Sequence, residues 1–128
     1  MAWPEYFPAD CPPDDATDAV GNFYRFAESD PVTGKDCICL WIRQNGNIQG
    51  ANKCGACGLS VFTDLKDADR LRKIFKTYRK KHLAAASLAT PTGKIKSTPT
   101  SAIKSHHTWW VPIGVQAETL LIVVKEHK

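Results

Sequence analysis

Only one stretch of this chain, Asp64 to about His82, sets its apolar residues at helical spacing, whereas the other periodic stretches alternate in twos. Leu65, Ala68, Leu71, Phe75 and Tyr78 fall three or four apart on one stripe. Asp64, Asp67 and Asp69 occupy the first turns and Lys76, Arg79, Lys80 and Lys81 the last, an order that complements the helix dipole at both ends. Thr63 is the expected N-cap. One long helix among short alternating segments predicts an α+β fold: a single domain whose antiparallel or mixed sheet is covered on one face by one main basic amphipathic helix. With 128 residues, 43% of them hydrophobic, the chain can build one core without obligatory staples.

Asn22 to Ala27 reads as a strand, with Phe23 and Arg25 on one face and Tyr24 and Phe26 on the other. Cys37 to Arg43 sets Ile38, Leu40 and Ile42 against Cys37, Cys39 and Trp41; apolar on both faces, it is expected as a central strand. Asn45-Gly46-Asn47 supplies a tight turn after it. Leu59 to Thr63 is expected as a brief strand, and Leu83 to Ala89 as a strand in preference to a continued helix. Lys94 to Thr100 alternates poorly, and Ile103 to Ile113 reads as part loop and part strand. Thr119 to Val124 is apolar and β-branched, so it is expected in the middle of the sheet. Residues 1–21, rich in proline and acid, form an arm, and residues 22–128 the α+β domain. Trp3, Tyr6 and Phe7 give that arm rings with which to dock.

The formal net charge of +4 conceals a division. Residues 1–36 carry eight acids against Arg25 and Lys35, while the remainder carries fifteen Lys or Arg against five acids. A basic body favours polyanions, and an acidic arm beside it suggests self-masking. On the helix, Lys66, Arg70, Lys73, Thr77 and Lys80 share a stripe turned away from Leu71 and Phe75; Lys94, Lys96 and Lys104 widen the patch. The expected function is therefore binding of an anionic partner, nucleic acid foremost, through Lys66, Arg70, Lys73, Lys80 and Lys104, with Trp109 or Trp110 stacking an unpaired base. The longest unbroken apolar run, Leu120 to Val124, is far too short to cross a bilayer, so no membrane partner is expected. Met1-Ala-Trp-Pro-Glu lacks the basic and apolar regions of a secretory signal, which leads to an expected cytoplasmic location. Five cysteines, an odd count, fit free thiols better than a disulfide framework.

Two close thiol pairs, Cys37-Ile-Cys39 and Cys54-Gly-Ala-Cys57, match the ligand number of a structural zinc, which would be the one cofactor. On a regular strand, however, residues i and i+2 lie about 6.6 Å apart, so a shared metal requires a bend at Ile38. Otherwise Cys37 and Cys39 are small core residues.

Ser105-His106-His107-Thr108-Trp109-Trp110 joins two imidazoles to two large rings. As a strand it turns His106 and His107 to opposite faces, so one histidine at most serves any one site. His106-His-Thr108 is an H-x-T arrangement that resembles one half of the two-histidine phosphoesterase motif, and only one such unit is present. Arg25, Ser60 and Glu118 occur in an order that resembles the Arg, Ser, Glu layout of ADP-ribosyltransferases, without the Ser-Thr-Ser run or the Glu-x-Glu pair. That resemblance implies Arg25 on a cofactor's phosphates, Ser60 supporting the nicotinamide pocket and Glu118 polarising the ribose. The alternative function is thus a small nucleotide-directed enzyme using Arg25, Ser60, Glu118 and His106 or His107.

Overall fold

The computed structural model describes residues 2–125, which form a mixed α+β structure around one antiparallel seven-stranded sheet. The strands are β1 (Thr17–Asp18), β2 (Gly21–Ala27), β3 (Leu59–Phe62), β4 (His82–Leu88), β5 (Lys94–Ser97), β6 (His106–Trp110) and β7 (Ile122–Lys125), in the order β1-β5-β6-β3-β2-β4-β7. The helices are α1 (Leu40–Arg43), α2 (Lys53–Cys57), α3 (Leu65–Ile74), α4 (Lys76–Arg79) and α5 (Ala117–Leu120), with single 3-10 turns at Gly34–Cys37 and Gly50–Asn52.

Strand alternation sorts the side chains into two layers. Phe23, Leu59, Val61, Ala84, Ala86, Ile95 and Trp109 make the main core on one face. On the other, Phe62 and Leu83 meet Ala68 of α3, with Tyr24, Phe26 and Ile103 alongside. Trp109 and Trp110 are buried and bonded, Nε1 of the first donating to the Thr92 carbonyl and Nε1 of the second to the Cys54 carbonyl. Gly93 lets the chain pass this corner: its φ is +89°, and a Cβ there would collide with the Trp110 carbonyl.

Four expectations are corrected. Cys37 to Arg43 is not a strand: Thr33 and Asp36 form a capping box over the 3-10 turn, and Cys39 then caps α1. The helix expected to reach His82 stops at Ile74, with Phe75 extended at φ −118° and ψ 122°. Its N-cap is Asp64, whose carboxylate accepts from the Lys66 amide. The break is stabilised by arginines: Arg79 donates to the Arg72 and Lys73 carbonyls, and Arg72 to those of Tyr78 and Lys81. These guanidinium bonds replace backbone bonds that a continuous helix would make.

The expected central strand at Thr119 to Val124 divides into α5 and an edge strand, β7, with Ile122 and Val124 exposed. The fourth correction concerns the cysteines, since Cys11 of the arm is bonded to Cys54 across 43 residues. The arm is also held by Tyr6, whose ring stacks on Trp41 at 5.0 Å between centroids. Its acids meet β5, where Asp15 pairs with Lys96 and Asp18 with Lys94, leaving the lysines of α3 unmasked by these contacts.

Candidate functional site

The centre of the sheet carries a defect. β2 and β3 are joined by a single residue pair, Tyr24 with Phe62, beyond which the two strands part. Arg25 bridges the gap: its Nε donates to the Asp36 carbonyl at 3.0 Å and a terminal nitrogen to the Ser60 carbonyl at 2.7 Å. A guanidinium has five N–H donors, so this anchored fork keeps donors beyond the two spent on backbone. Asp36 secures the first anchor, its carboxylate accepting from the amides of Glu28 and Thr33. Although desolvation pushes that carboxyl up, these bonds outweigh it and hold it below its ordinary value.

A cavity of about 240 Å³ opens beside the bridge, bordered by Arg25, Arg43, Ser60, Lys81 and His106 with the rings of Phe26 and Tyr78. A second, of about 300 Å³, adjoins it through Arg25, Arg43 and Ser60 and is walled by Ile38, Leu40, Ala56 and Gly58. Neither is lined by a carboxylate among the described residues. Burial pulls the Arg25 guanidinium below its ordinary value; Cys37 and Asp36 oppose that shift, and the Arg43 cation adds to it. Two like charges thus share a wall whose lining holds no carboxylate among the described residues, an arrangement that suits an anion. Lys81 pairs with Glu28 at 3.6 Å on the rim.

His106 reaches this cavity because β6 pairs with β3, placing His106 opposite Phe62 and Thr108 opposite Ser60. Ser60 and His106 are diagonal neighbours on one face. The His106 Nδ1 lies 2.9 Å from the Thr98 carbonyl, which can only accept. The same nitrogen lies 2.9 Å from the Thr98 hydroxyl, which can donate or accept; in the tautomer with the proton on Nδ1, the one that serves the carbonyl, Nε2 is the acceptor nitrogen. Burial lowers the His106 pKa, against the opposing bond to Thr98 and with a small push from His107, which favours the neutral ring.

The loop entering β6 is clamped by α3. Asp67 accepts from both the amide and the hydroxyl of Ser105, whose oxygen in turn accepts from the amides of Thr63 and Asp64; Arg70 donates to the Ala102 carbonyl. Desolvation pushes the Asp67 carboxyl up, but the bonds from Ser105 and the nearby Arg70 outweigh it and lower its pKa. A folded-state value below the unfolded one gives stability that is present above the ordinary carboxylate range and is lost as pH falls through about 4 and below. Asp67→Asn is therefore expected to lower the urea midpoint at pH 7 and to flatten its fall between pH 5 and 3; an unchanged acid limb would contradict this assignment.

The other expected site residues lie elsewhere. His107 faces the opposite side, its Nδ1 at 2.7 Å from the Ser105 carbonyl, beside Asp15, Thr17 and Asp18. Glu118 borders a separate cavity of about 230 Å³ with Cys37, Cys39, Cys57 and Tyr6, so Arg25, Ser60 and Glu118 do not converge in one pocket. The four-thiol set is not assembled either. Cys54 is committed to Cys11, and no group of three or more His, Cys, Asp or Glu among the described residues is placed to hold a metal ion. Burial pushes the Cys37 and Cys57 thiols up to about 11, so both are held as thiols at neutral pH.

Of the expected nucleic-acid contacts, Lys66, Lys73, Lys80 and Lys104 are exposed, and Arg70 is tied to Asp67 and Ala102. The stacking role expected of Trp109 and Trp110 is corrected, since neither ring reaches the surface. Sequence reasoning missed Arg43, assigned to a strand, and Lys81, counted as helix charge; Phe26 was visible as a residue alternating with Arg25. Set against protein-family models, curated proteins and solved structures, the chain matches none.

Proposed function

We propose that the cleft between β2 and β3 binds a phosphate-bearing nucleotide, with Arg25 and Arg43 on the phosphate, Phe26 and Tyr78 beside the base, and Ser60 and His106 at the reacting end. The observation that carries this reading is the meeting of Arg25, Arg43, Lys81, Ser60 and His106 around one cavity without a carboxylate in its lining. Guanidinium forks suit phosphate oxygens, and ring faces suit bases. The reading is a nucleotide-directed enzyme, because an imidazole that burial holds toward its neutral form beside the anion site offers a proton acceptor.

ADP is the probe, read by isothermal titration at low salt. Arg43 is exposed and caps no element, so Arg43→Gln should fold normally and weaken ADP binding by about tenfold or more, roughly one good charge-assisted contact. Lys73→Gln, on exposed α3, should leave ADP affinity unchanged. Equal affinity in wild type and Arg43→Gln would refute the placement.

A second reading is favoured by the exposed Lys66, Lys73, Lys76 and Lys80, which form no ion pair among the described residues. They make a face along which a polynucleotide can lie.

A further inference from the structure

The segment that follows the break in the basic helix both lines the cleft and carries exposed lysines. Tyr78 and Lys81 border the cavity that holds Ser60 and His106, and they belong to the same segment, 76–81, that carries exposed Lys76 and Lys80. A row of phosphates following those lysines is led toward Lys81 and then Arg25. A mononucleotide makes no use of cations outside the cavity, whereas a strand does. The arginines hold the helix break that brings this about, since Arg72 donates to the carbonyls of both Tyr78 and Lys81.

The cavity's chemistry narrows the strand further. Among the described residues its lining holds none of the carboxylates on which divalent-cation nucleases hold their metals. It offers instead an imidazole whose Nδ1 is engaged at 2.9 Å by both the carbonyl and the hydroxyl of Thr98, which leaves Nε2 as the nitrogen to serve as base, next to two guanidiniums. That set suits a reaction in which the substrate brings its own nucleophile and the protein supplies a base and a phosphate clamp.

We propose that the cleft takes single-stranded RNA and cleaves it by metal-independent transesterification. The proposal rests on the nucleotide reading above. Nε2 of His106 takes the proton of a ribose 2′-hydroxyl, the 2′-oxygen attacks the adjacent phosphorus, and the bond from phosphorus to the 5′-oxygen breaks. The departing 5′-oxygen takes a proton from water, and the resulting hydroxide recovers the proton held by His106. The products are a 2′,3′-cyclic phosphate and a 5′-hydroxyl. Arg25 and Arg43 hold the non-bridging oxygens, where negative charge grows.

The test uses the full chain in excess EDTA with an end-labelled single-stranded RNA of mixed sequence and its all-deoxy counterpart. Cleavage of the RNA alone, with cyclic phosphate ends by mass spectrometry, is expected. His106→Gln should lower the rate by about 100-fold or more, the usual worth of a general base. His107→Gln, altered on the opposite face, should cleave normally. Wild-type protein that binds ADP but leaves RNA intact overturns the proposed chemistry and spares the nucleotide reading; failure of both binding and cleavage overturns both. Equal cleavage by His106→Gln, cleavage of the deoxy strand, or loss of activity in EDTA also overturns it.

Discussion

Replacing Trp109 by alanine is expected to cost about 3–5 kcal/mol, the range for truncating a fully buried large aromatic. The ring is 0% exposed and lies in the core with Leu59, Val61 and Ile95, where β6 sits between β3 and β5. The same change removes the Nε1 donor to the part-buried Thr92 carbonyl at 2.7 Å, which adds to the loss. Typical domains have only about 5–15 kcal/mol in total, so a large share of the stability is at stake. Trp109→Phe keeps much of the ring and loses the bond, so its urea midpoint should fall between wild type and alanine. A loss under about 1 kcal/mol in the alanine variant would mean that the ring is not in the core.

The second large effect belongs to Cys11 and Cys54. Closing a loop across 43 residues restricts the unfolded chain, and removal of a native bridge typically costs about 2–5 kcal/mol. The Cys11→Ser, Cys54→Ser double variant should melt well below wild type, and reductant should lower wild type to about the same midpoint. Because α2 carries Cys54 and also lines the larger cavity through Ala56, ADP affinity should weaken with the bridge. Equal melting with and without reductant, alongside mass-spectrometric proof that the thiols have changed state, would contradict a structural role for the bond.

Short-range rules made β2, β3 and β4 legible, because Phe23, Val61 and Ala84 alternate with residues of the opposite layer. The same rules misread residues 37–43, where a short apolar run fits both a two-residue period and one helical turn. There the deciding feature was the Thr33–Asp36 capping box just upstream. At Phe75 no proline or glycine marks the break; it depends on Arg72 and Arg79 reaching carbonyls six to nine residues away, which apolar spacing does not encode. β7 looked central because Ile122 and Val124 are apolar, yet both face solvent on the sheet edge.

The site was half visible. Alternation separated His106 from His107, and Arg25 and Ser60 were marked by the order that resembles ADP-ribosyltransferases, whose third member, Glu118, lies in another cavity. Their convergence required the register of β3 against β6 and the parting of β2 from β3, both set by tertiary pairing. Trp109 and Trp110 looked available for stacking because sequence does not show which rings the arm and α2 cover.

The account rests on an anion seated at the Arg25 bridge, and chemical-shift mapping during an ADP titration tests this most directly. The largest shifts are expected at the Arg25 Nε, the Ser60 amide and the His106 ring, with the Trp109 indole unmoved. Shifts confined to Lys66, Lys73, Lys76 and Lys80, with His106 silent, would contradict it.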